Sequence, residues 1–211
     1  MQGPVLVFAE ASGSQLRKVS YEALTEGRKL ADSLGAKEYA LVIGNGLAAE
    51  TLNLGKFGAD HVIQVESPSL SLFHPDYYRD IILEAIGKVA PSIVLLPATS
   101  AGKDIGPRLA IHLNTGLASD CVRLEVRGEE VVASRPAFAG KVILNVRIMG
   151  TPKIATLRPN AFTARESSTP KTPSIEQMSF DKWDSRIVVR EFVAPEGKKV
   201  DLTEANIIIS G

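Results

Sequence analysis

The sequence predicts an α/β fold: a mostly parallel β-sheet flanked by helices, followed by a small antiparallel meander. In the first half of the chain, short apolar runs alternate with stretches of helical periodicity, which is typical of strand–helix–strand units. After residue 118 the pattern changes to alternating strands separated by turn residues, which indicates hairpins. Because parallel strands need crossover connections on the faces of the sheet, the first half predicts a Rossmann-like sheet covered on both sides.

The predicted strands of the parallel part are short and rich in branched apolar residues, as expected for strands buried on both faces. They are Pro4–Ala9, Tyr39–Ile43, Val62–Val65 and Ile93–Leu96.

Three amphipathic segments predict the helices between and after these strands. Ser20–Leu34 repeats apolar residues on one face, and Gly35 is placed to end it as a C-cap. Tyr77–Val89 is the second helix, with Asp76 as its predicted N-cap. Asp104–Leu113 is the third, and it tolerates Pro107 only if that proline falls in the first turn.

The second half predicts strands separated by turns and a polar segment. The meander strands are Cys121–Val126, Glu130–Arg135, Lys141–Ile148 and Lys153–Leu157. Glu166–Ser174, rich in Ser, Thr and Pro, is the best linker candidate, and Arg186–Phe192 is a further predicted strand. The tail Asn206–Ser210 has the composition of a buried parallel strand with no crossover after it, which predicts a truncated chain that self-associates weakly.

Composition bounds the class of protein. The 211 residues are 45% hydrophobic and 23% charged, with a formal net charge of zero, so the chain should be globular and soluble and should not bind nucleic acid. A single cysteine, Cys121, and the absence of a signal sequence or long apolar run predict an intracellular, reducing location without membrane insertion. The histidines His61, His74 and His112 fall in different elements, so no metal site is expected.

The carboxyl ends of the strands are where ligands bind in such sheets, and two loops there carry glycines. Gly44–Ala49 matches G-x-G-x-x-A, with Glu66 twenty residues beyond Gly46, as in dinucleotide sites. The match follows the second strand rather than the first, and the helix from Leu47 to Leu54 is short. A tight turn is therefore the preferred interpretation.

The second loop, Thr99–Asp104, precedes a helix, so its amide groups and Lys103 are placed to hold an anion. It is not a phosphate-binding P-loop, because Pro97 stands where the first glycine would be and Asp104 where Ser or Thr would bind magnesium. A capped helix start is the preferred interpretation. No nucleophile motif is present, and Cys121 is predicted to be packed within a strand rather than reactive.

Several stretches in order together resemble electron transfer flavoprotein alpha subunits. These stretches are Val5–Glu10 (VLVFAE), Ala101–Ala110 (AGKDIGPRLA), Ser119 with Asp120, Arg135–Lys141 (RPAFAGK), Thr156–Phe162 (TLRPNAF) and Asp201–Ala205 leading to Ile207–Gly211. The resemblance covers nearly the whole chain, and its specificity lies in the order of the stretches.

The resemblance implies an adenine-nucleotide-hydrolase-like α/β domain over residues 1–200, with a parallel part over about 1–118, a meander over about 119–165 and a polar segment over 166–174. Residues 201–211 would enter a carboxyl-terminal FAD-binding domain that this chain lacks. In the family, the alpha subunit pairs with a beta subunit, and the heterodimer carries electrons from dehydrogenases, including those of fatty acid oxidation, to a quinone oxidoreductase or related acceptor.

The role expected of this chain is therefore that of a scaffold and pairing surface for the beta subunit. It should be an electron carrier's domain rather than an enzyme, in the cytoplasm or the mitochondrial matrix, with no catalytic, cofactor-binding or metal residues and no bound FAD. The alternatives are an independent nucleotide-binding or nucleotide-hydrolysing domain that uses the Gly44 or Gly102 loop, and a purely structural or regulatory module.

Overall fold

The computed structural model describes residues 3–128, 130–191, 193 and 209, and it confirms the α/β architecture. The strands are β1 (Val5–Ala9), β2 (Ala11–Ser12), β3 (Gln15–Leu16), β4 (Glu38–Gly44), β5 (His61–Glu66), β6 (Ile93–Pro97), β7 (Leu117–Cys121), β8 (Arg123–Arg127), β9 (Glu130–Ala137), β10 (Val142–Arg147), β11 (Lys153–Leu157) and β12 (Ser174–Gln177). The helices are α1 (Lys18–Leu34), α2 (Ala48–Thr51), α3 (Pro75–Val89) and α4 (Ser100–His112), with 3₁₀ turns at Leu52–Phe57 and Pro68–Leu70.

The main sheet has seven parallel strands in the order β12-β5-β4-β1-β6-β11-β7. The chain moves outward from β1 through β4 to β5 and then returns to the other side of β1 to form β6. The strand order therefore reverses between β1 and β6, which makes the carboxyl end of this pair the topological switch point of the sheet.

The core consists of two layers, one on each face of this sheet. Along β1, Val5 and Val7 face the layer under α1 and the small sheet, whereas Leu6 and Phe8 face the layer under α3 and α4. All four side chains are at most 1% exposed. The sequence predicted these strands from apolar runs without polar alternation. Such runs are typical of strands in a sheet that is covered on both faces.

The helices form where the apolar periodicity placed them, but all three begin earlier than predicted, α1 at Lys18 rather than Ser20. Gly35 ends α1 in the left-handed conformation, as predicted. At α3 the N-cap is His74 rather than Asp76: its side chain accepts a hydrogen bond from the Tyr77 N–H, and Pro75 takes the first helical position. The helix α4 begins at Ser100, so Pro107 lies in its interior and not in its first turn as predicted.

The helices of the described part are too short or too polar to span a membrane.

The meander is smaller than predicted, because its last strand belongs elsewhere. β8, β9 and β10 form a three-stranded antiparallel sheet, whereas β11 inserts between β6 and β7 as a parallel strand of the main sheet. Parallel neighbours need a long crossover, and here the small sheet supplies the crossover from β7 to β11. The predicted boundary at residue 118 therefore does not separate the parallel strands from the antiparallel ones.

The polar segment predicted as a linker is held against the domain. The Ser167 N–H donates to the Lys56 carbonyl at 2.7 Å, and the Lys171 ammonium reaches Asp60 at 2.7 Å. Ser174 then begins β12, which pairs with β5 at the sheet edge. Local composition suggested a linker, but the segment carries the chain from β11 to the opposite edge of the sheet.

Two predictions concern the carboxyl-terminal part. Arg186–Phe192 is not a strand over its described residues 186–191, which instead follow a segment that packs through Met178 and Phe180 against the α3 layer. The prediction failed because an alternating pattern needs a partner strand to form a ladder. The predicted tail strand Asn206–Ser210 lies outside the described residues, except for Ile209.

Candidate functional site

The switch point between β1 and β6 is filled by the protein's own side chains. Glu10 follows β1 and Thr99 follows β6; the Thr99 hydroxyl donates to Glu10 Oε2 at 2.5 Å. The Arg17 guanidinium donates to Glu10 Oε1 at 2.8 Å, and the Ser20 hydroxyl donates to the Glu10 carbonyl. Glu10 and Thr99 are 8% and 7% exposed. The crevice that binds ligands in many α/β sheets is thus occupied by a hydrogen-bonded carboxylate.

The Gly102 loop is the start of a capped helix. The Thr99 hydroxyl accepts a hydrogen bond from the Gly102 N–H at 3.1 Å, so one amide that would face an anion is already bonded. Gly102 itself lies so close to β6 that a Cβ there would stand 1.8 Å from the Pro97 carbonyl oxygen. Asp104, the first residue of the predicted helix, lies beyond the first turn of α4 and pairs with Arg108.

The Gly44 loop is a tight turn. Glu66, the carboxylate that would bind a ribose in a dinucleotide site, accepts a hydrogen bond from the Gly46 N–H at 2.6 Å. Gly46 has a φ of 71°, and Leu47, which is 1% exposed, packs over Gly44. The Glu66 carboxylate and the Gly46 amide therefore bind each other and not a ligand. The G-x-G-x-x-A pattern is explained by a tight turn.

A cluster of charged residues lies at the carboxyl ends of β7 and β11. Arg158 makes two hydrogen bonds to the Asp120 carboxylate, at 3.1 Å and 2.5 Å. These bonds lower the pKa of Asp120, and the positive charges of Lys103 and Arg135 act in the same direction. Asp120 has a φ of 59°, and its N–H donates to the Thr156 hydroxyl, so local backbone geometry fixes where the carboxylate stands.

The thiol of Cys121 is suited to packing and not to nucleophilic chemistry. It is fully buried, and burial raises its pKa to about 12. Its Sγ lies 3.3 Å from the Ala118 carbonyl. The burial of Cys121 within β7 confirms the predicted packing, and a thiol with a raised pKa is a poor nucleophile at neutral pH.

The three histidines have separate surroundings. His61 stacks on Tyr39 and contacts the Ser174 hydroxyl, His74 caps α3, and His112 ends α4. Over the described ranges, no group of three or more His, Cys, Asp or Glu side chains is arranged to hold a metal ion.

The hairpin of β9 and β10 exposes apolar side chains. At its tip, Phe138, Ala139 and Gly140 all have positive φ values, and Phe138 is 75% exposed. Along β10, Val142, Ile143 and Leu144 are 43%, 53% and 39% exposed. β10 pairs only with β9 among the described strands, so its outer edge presents an open backbone ladder.

A family model described as the electron transfer flavoprotein domain matches residues 5–183, which is most of the chain. The chain belongs to the electron transfer flavoprotein family. The resemblance derived from the sequence stretches is thereby confirmed.

Curated relatives of this family align along nearly the whole chain. Identity is 34% to the electron transfer flavoprotein subunit alpha of Bacillus subtilis and 35% to protein FixB of Clostridium saccharobutylicum, each over 98% of this chain and 63% of the relative. Identity is 32% to the lactate dehydrogenase (NAD(+),ferredoxin) subunit LctC of Acetobacterium woodii, over 98% of this chain and 50% of the relative. The chain spans less than two thirds of the length of these relatives, which is consistent with an amino-terminal alpha-subunit domain.

Four of the stretches that carry the electron transfer flavoprotein resemblance act on the Asp120 carboxylate, Arg158 by pairing with it and two others through charges that lower its pKa. They contribute Lys103, Asp120 itself, Arg135 and Arg158. Sequence reasoning noted these stretches for their order and singled out only Lys103 as a site residue. The available signal was that each stretch carries at least one charged residue, but which of these residues act on Asp120 depends on the strand order of the sheet.

Proposed function

We propose that this chain serves as the scaffold and beta-subunit pairing domain of an electron transfer flavoprotein alpha subunit. Membership of the family and the names of the relatives support the assignment to this electron-carrying class. The observation that carries the pairing role is the exposed β9–β10 hairpin. The switch-point crevice and both glycine loops are occupied by the protein's own groups, whereas this hairpin has apolar side chains and backbone groups open to a partner.

The edge strand β10 offers both kinds of interaction that pairing with another strand needs. Its open ladder can hydrogen-bond to an added strand, and its exposed apolar side chains lose water when a partner covers them. Burying one such side chain fully is worth about 1.5–3 kcal/mol. Three consecutive exposed apolar residues on an unprotected edge are also an aggregation hazard for an isolated domain, which favours a permanent partner.

The described residues do not fit the FAD that the family name implies. A dinucleotide needs free amide groups for its pyrophosphate and a free carboxylate for its ribose. Here Glu66 binds the Gly46 amide, Thr99 binds the Gly102 amide, and Glu10 fills the switch point. FAD binding therefore belongs, in this proposal, to the part of the family protein that this chain does not span, and we derive no redox step through the described residues.

The same occupied loops disfavour the alternative of an independent nucleotide-binding or nucleotide-hydrolysing domain. Electron donors of the dehydrogenase class and a quinone oxidoreductase acceptor remain part of the proposal. Among the relatives, one is named a subunit of a lactate dehydrogenase and another an acryloyl-CoA reductase electron transfer subunit. We still predict that the chain belongs to an electron carrier and has no catalytic residues of its own. Its location in the cytoplasm or the mitochondrial matrix also stays a prediction.

Pairing can be tested by titrating this chain with the beta subunit of the same electron transfer flavoprotein in a calorimeter. The unaltered chain should bind, and Ile143→Asp on β10 should weaken binding by about 30-fold, since a charge replaces an apolar contact worth about 2 kcal/mol. The matched control is Ile111→Asp on α4, where the side chain is 81% exposed and away from the hairpin; it should bind like the unaltered chain. Absence of binding by the unaltered chain, or equal loss in both variants, would contradict the proposal.

A further inference from the structure

The tip of the β9–β10 hairpin is a tight turn in a conformation that its residues disfavour. The Gly140 N–H donates to the Ala137 carbonyl at 3.0 Å, so Phe138 and Ala139 are the central residues of a β-turn. Both have positive φ values, 51° and 55°, which is the signature of a type I′ turn. Asn-Gly, Asp-Gly and Gly-Gly dominate such turns, because a Cβ is crowded in the left-handed region. Here a phenylalanine and an alanine take the two positions.

The ring of Phe138 contributes little to the packing of the domain. Its side chain is 75% exposed, whereas Phe73 at 36% is the next most exposed among the phenylalanines whose side chains the structure describes. It belongs to neither core layer of the described residues, in contrast to Phe8 and Phe162. A large apolar ring on a strained backbone is therefore presented to solvent. Residues held in disfavoured φ, ψ regions concentrate at functional sites, where another interaction offsets the strain.

We propose that Phe138 is the anchor residue of the pairing surface and inserts into an apolar pocket of the beta subunit. This rests on the pairing function proposed above and names the side chain that dominates the contact. A few large side chains buried in pockets of the partner carry most of the binding energy at protein interfaces, and aromatic residues are enriched among them.

The turn holds Phe138 ready for such a contact. The chain is fixed before it, where β9 ends at Ala137, and after it, where the Lys141 N–H donates to the Phe138 carbonyl at 3.2 Å. A side chain on a fixed backbone loses less conformational freedom on binding than one on a flexible loop. The strained turn therefore favours association by orienting the ring in advance.

The tip adjoins the exposed edge strand. Val142, the first residue of β10, pairs with Ala137 directly beside the turn, and its side chain is exposed, as is that of Ile143. A partner that pairs with the β10 edge therefore also reaches the tip. One protein can cover the open ladder and receive the ring.

The charges around the tip favour a different protein over a second copy of this chain. Residues 131–152 carry three basic side chains and no acidic one, although the whole chain has no net charge; the three are Arg135, Lys141 and Arg147. Glu130 pairs with Arg147, whereas Lys141 is exposed beside the turn. Two copies that met through their hairpins would bring like charges together, which disfavours that contact. The pocket that receives Phe138 should accordingly have an acidic rim.

The first test separates relief of the strain from removal of the ring. Ala139→Gly relaxes the turn and keeps the ring, so it should raise the melting temperature of the chain by about 2–4 °C and leave beta-subunit binding within about twofold. Phe138→Asn also suits the left-handed region, so the melting temperature should not fall. It removes the ring, however, and binding should weaken about 30-fold. Phe138→Leu, which keeps an apolar side chain, should recover part of the affinity.

Calorimetric titration with the beta subunit and thermal unfolding of each variant supply the two measurements. Binding by Phe138→Asn as tight as that of the unaltered chain would overturn the proposal. Equal weakening by Ala139→Gly and Phe138→Asn would assign the effect to the turn backbone and would also overturn it.

The second test does not depend on a change in stability. With p-benzoylphenylalanine in place of Phe138, irradiation of the complex should join the hairpin tip to a beta-subunit peptide, which mass spectrometry of the digested complex identifies. The same analogue in place of Ile111 on α4, where the side chain is also exposed, is the matched control and should give no such link. The proposal fails if position 138 gives no link to the beta subunit in a complex that forms. A link from position 138 to a second copy of this chain instead would replace it with self-association.

The outcomes separate this inference from the pairing function. If Ile143→Asp weakens binding and Phe138→Asn does not, the hairpin pairs through its edge and only the anchor is wrong. If the unaltered chain does not bind the beta subunit, the pairing function is wrong and the anchor with it. Weaker binding by both Ile143→Asp and Phe138→Asn, with Ala139→Gly unchanged, is the expected result.

Discussion

The switch-point crevice and the β9–β10 hairpin differ in how far the domain satisfies its own groups. At the crevice, Glu10 accepts hydrogen bonds from Thr99 and Arg17, and the neighbouring Gly102 amide is capped. At the hairpin, the apolar side chains of β10 are exposed and Arg135 lacks a partner for a buried N–H in the described structure. One site is chemically complete and the other is not.

In the proposed function, this difference puts the pairing surface away from the place where ligands bind in this fold class. Ligands bind at switch points of α/β sheets because strand reversal opens a crevice there. Here side chains fill that crevice, and the exposed hairpin is the surface left with unsatisfied groups. Such a division of roles suits a domain whose task is to place a partner and not to bind a substrate.

The largest expected effect on the free energy of unfolding comes from comparing the same substitution, Leu to Ala, in the main sheet and in the small sheet. Leu41 is fully buried on β4, so Leu41→Ala should lower the free energy of unfolding by about 4 kcal/mol. Leu144 is 39% exposed on β10, and Leu144→Ala should cost less than about 1 kcal/mol in the isolated chain. Urea unfolding measures both. Similar costs at the two positions would show that the hairpin is packed in solution and would remove the contrast.

A second comparison probes how tightly the Gly102 loop is closed. Gly102→Ala places a methyl group against the Pro97 carbonyl, and the helix and strand must separate, so we expect a loss of about 3 kcal/mol in the free energy of unfolding. Gly87 in α3 has no atom within 4 Å of an added Cβ, and Gly87→Ala should stabilise by about 0.5–1 kcal/mol through helix propensity. A tolerated Gly102→Ala would mean that the loop has room for a ligand.

The last prediction concerns Glu38 at the amino end of β4, a carboxyl group that the domain buries without satisfying. Glu38 is fully buried, neither carboxyl oxygen has a hydrogen-bond partner among the described residues, and its Oε1 lies where a Cβ on Gly27 would stand. Burial raises the pKa of Glu38 well above its usual range, although the charge of Arg28 opposes this. The group is therefore neutral in the folded protein at pH values where the unfolded chain ionises it.

The sign of the pH dependence follows from this. An unfolded glutamate ionises near pH 4.3, about its ordinary value, so the folded protein loses stability as the pH rises from there toward the folded pKa. Glu38→Gln removes the ionisation, and its stability relative to the unaltered chain should rise with pH above about 4.3. Unfolding measured from pH 4 to pH 8 decides this, with the exposed Glu176→Gln as the control. A pH-independent difference would show that Glu38 is ionised in the fold.

The sequence was sufficient for the elements whose signals are local. Runs buried on both faces gave β1, β4, β5 and β6, and amphipathic periodicity with Gly35 as a stop gave α1. β11 was assigned to the meander because the same five residues suit either sheet, and only the distant pairing with Ile93–Pro97 distinguishes the two. The Asp120 cluster escaped prediction for the same reason, since Lys103, Arg135 and Arg158 come to act on one carboxylate only through the strand order.

The insertion of β11 between β6 and β7 has a consequence for synthesis on the ribosome. β7 emerges before β11, yet it cannot take its final place, because the strand that must lie between it and β6 has not been made. The nascent chain therefore carries an open edge on β6 until residue 157 has left the exit tunnel, and unpaired strand edges are prone to aggregation. The three-stranded sheet, translated during this interval, can fold first as a local unit and bring its two flanking strands to the waiting edge.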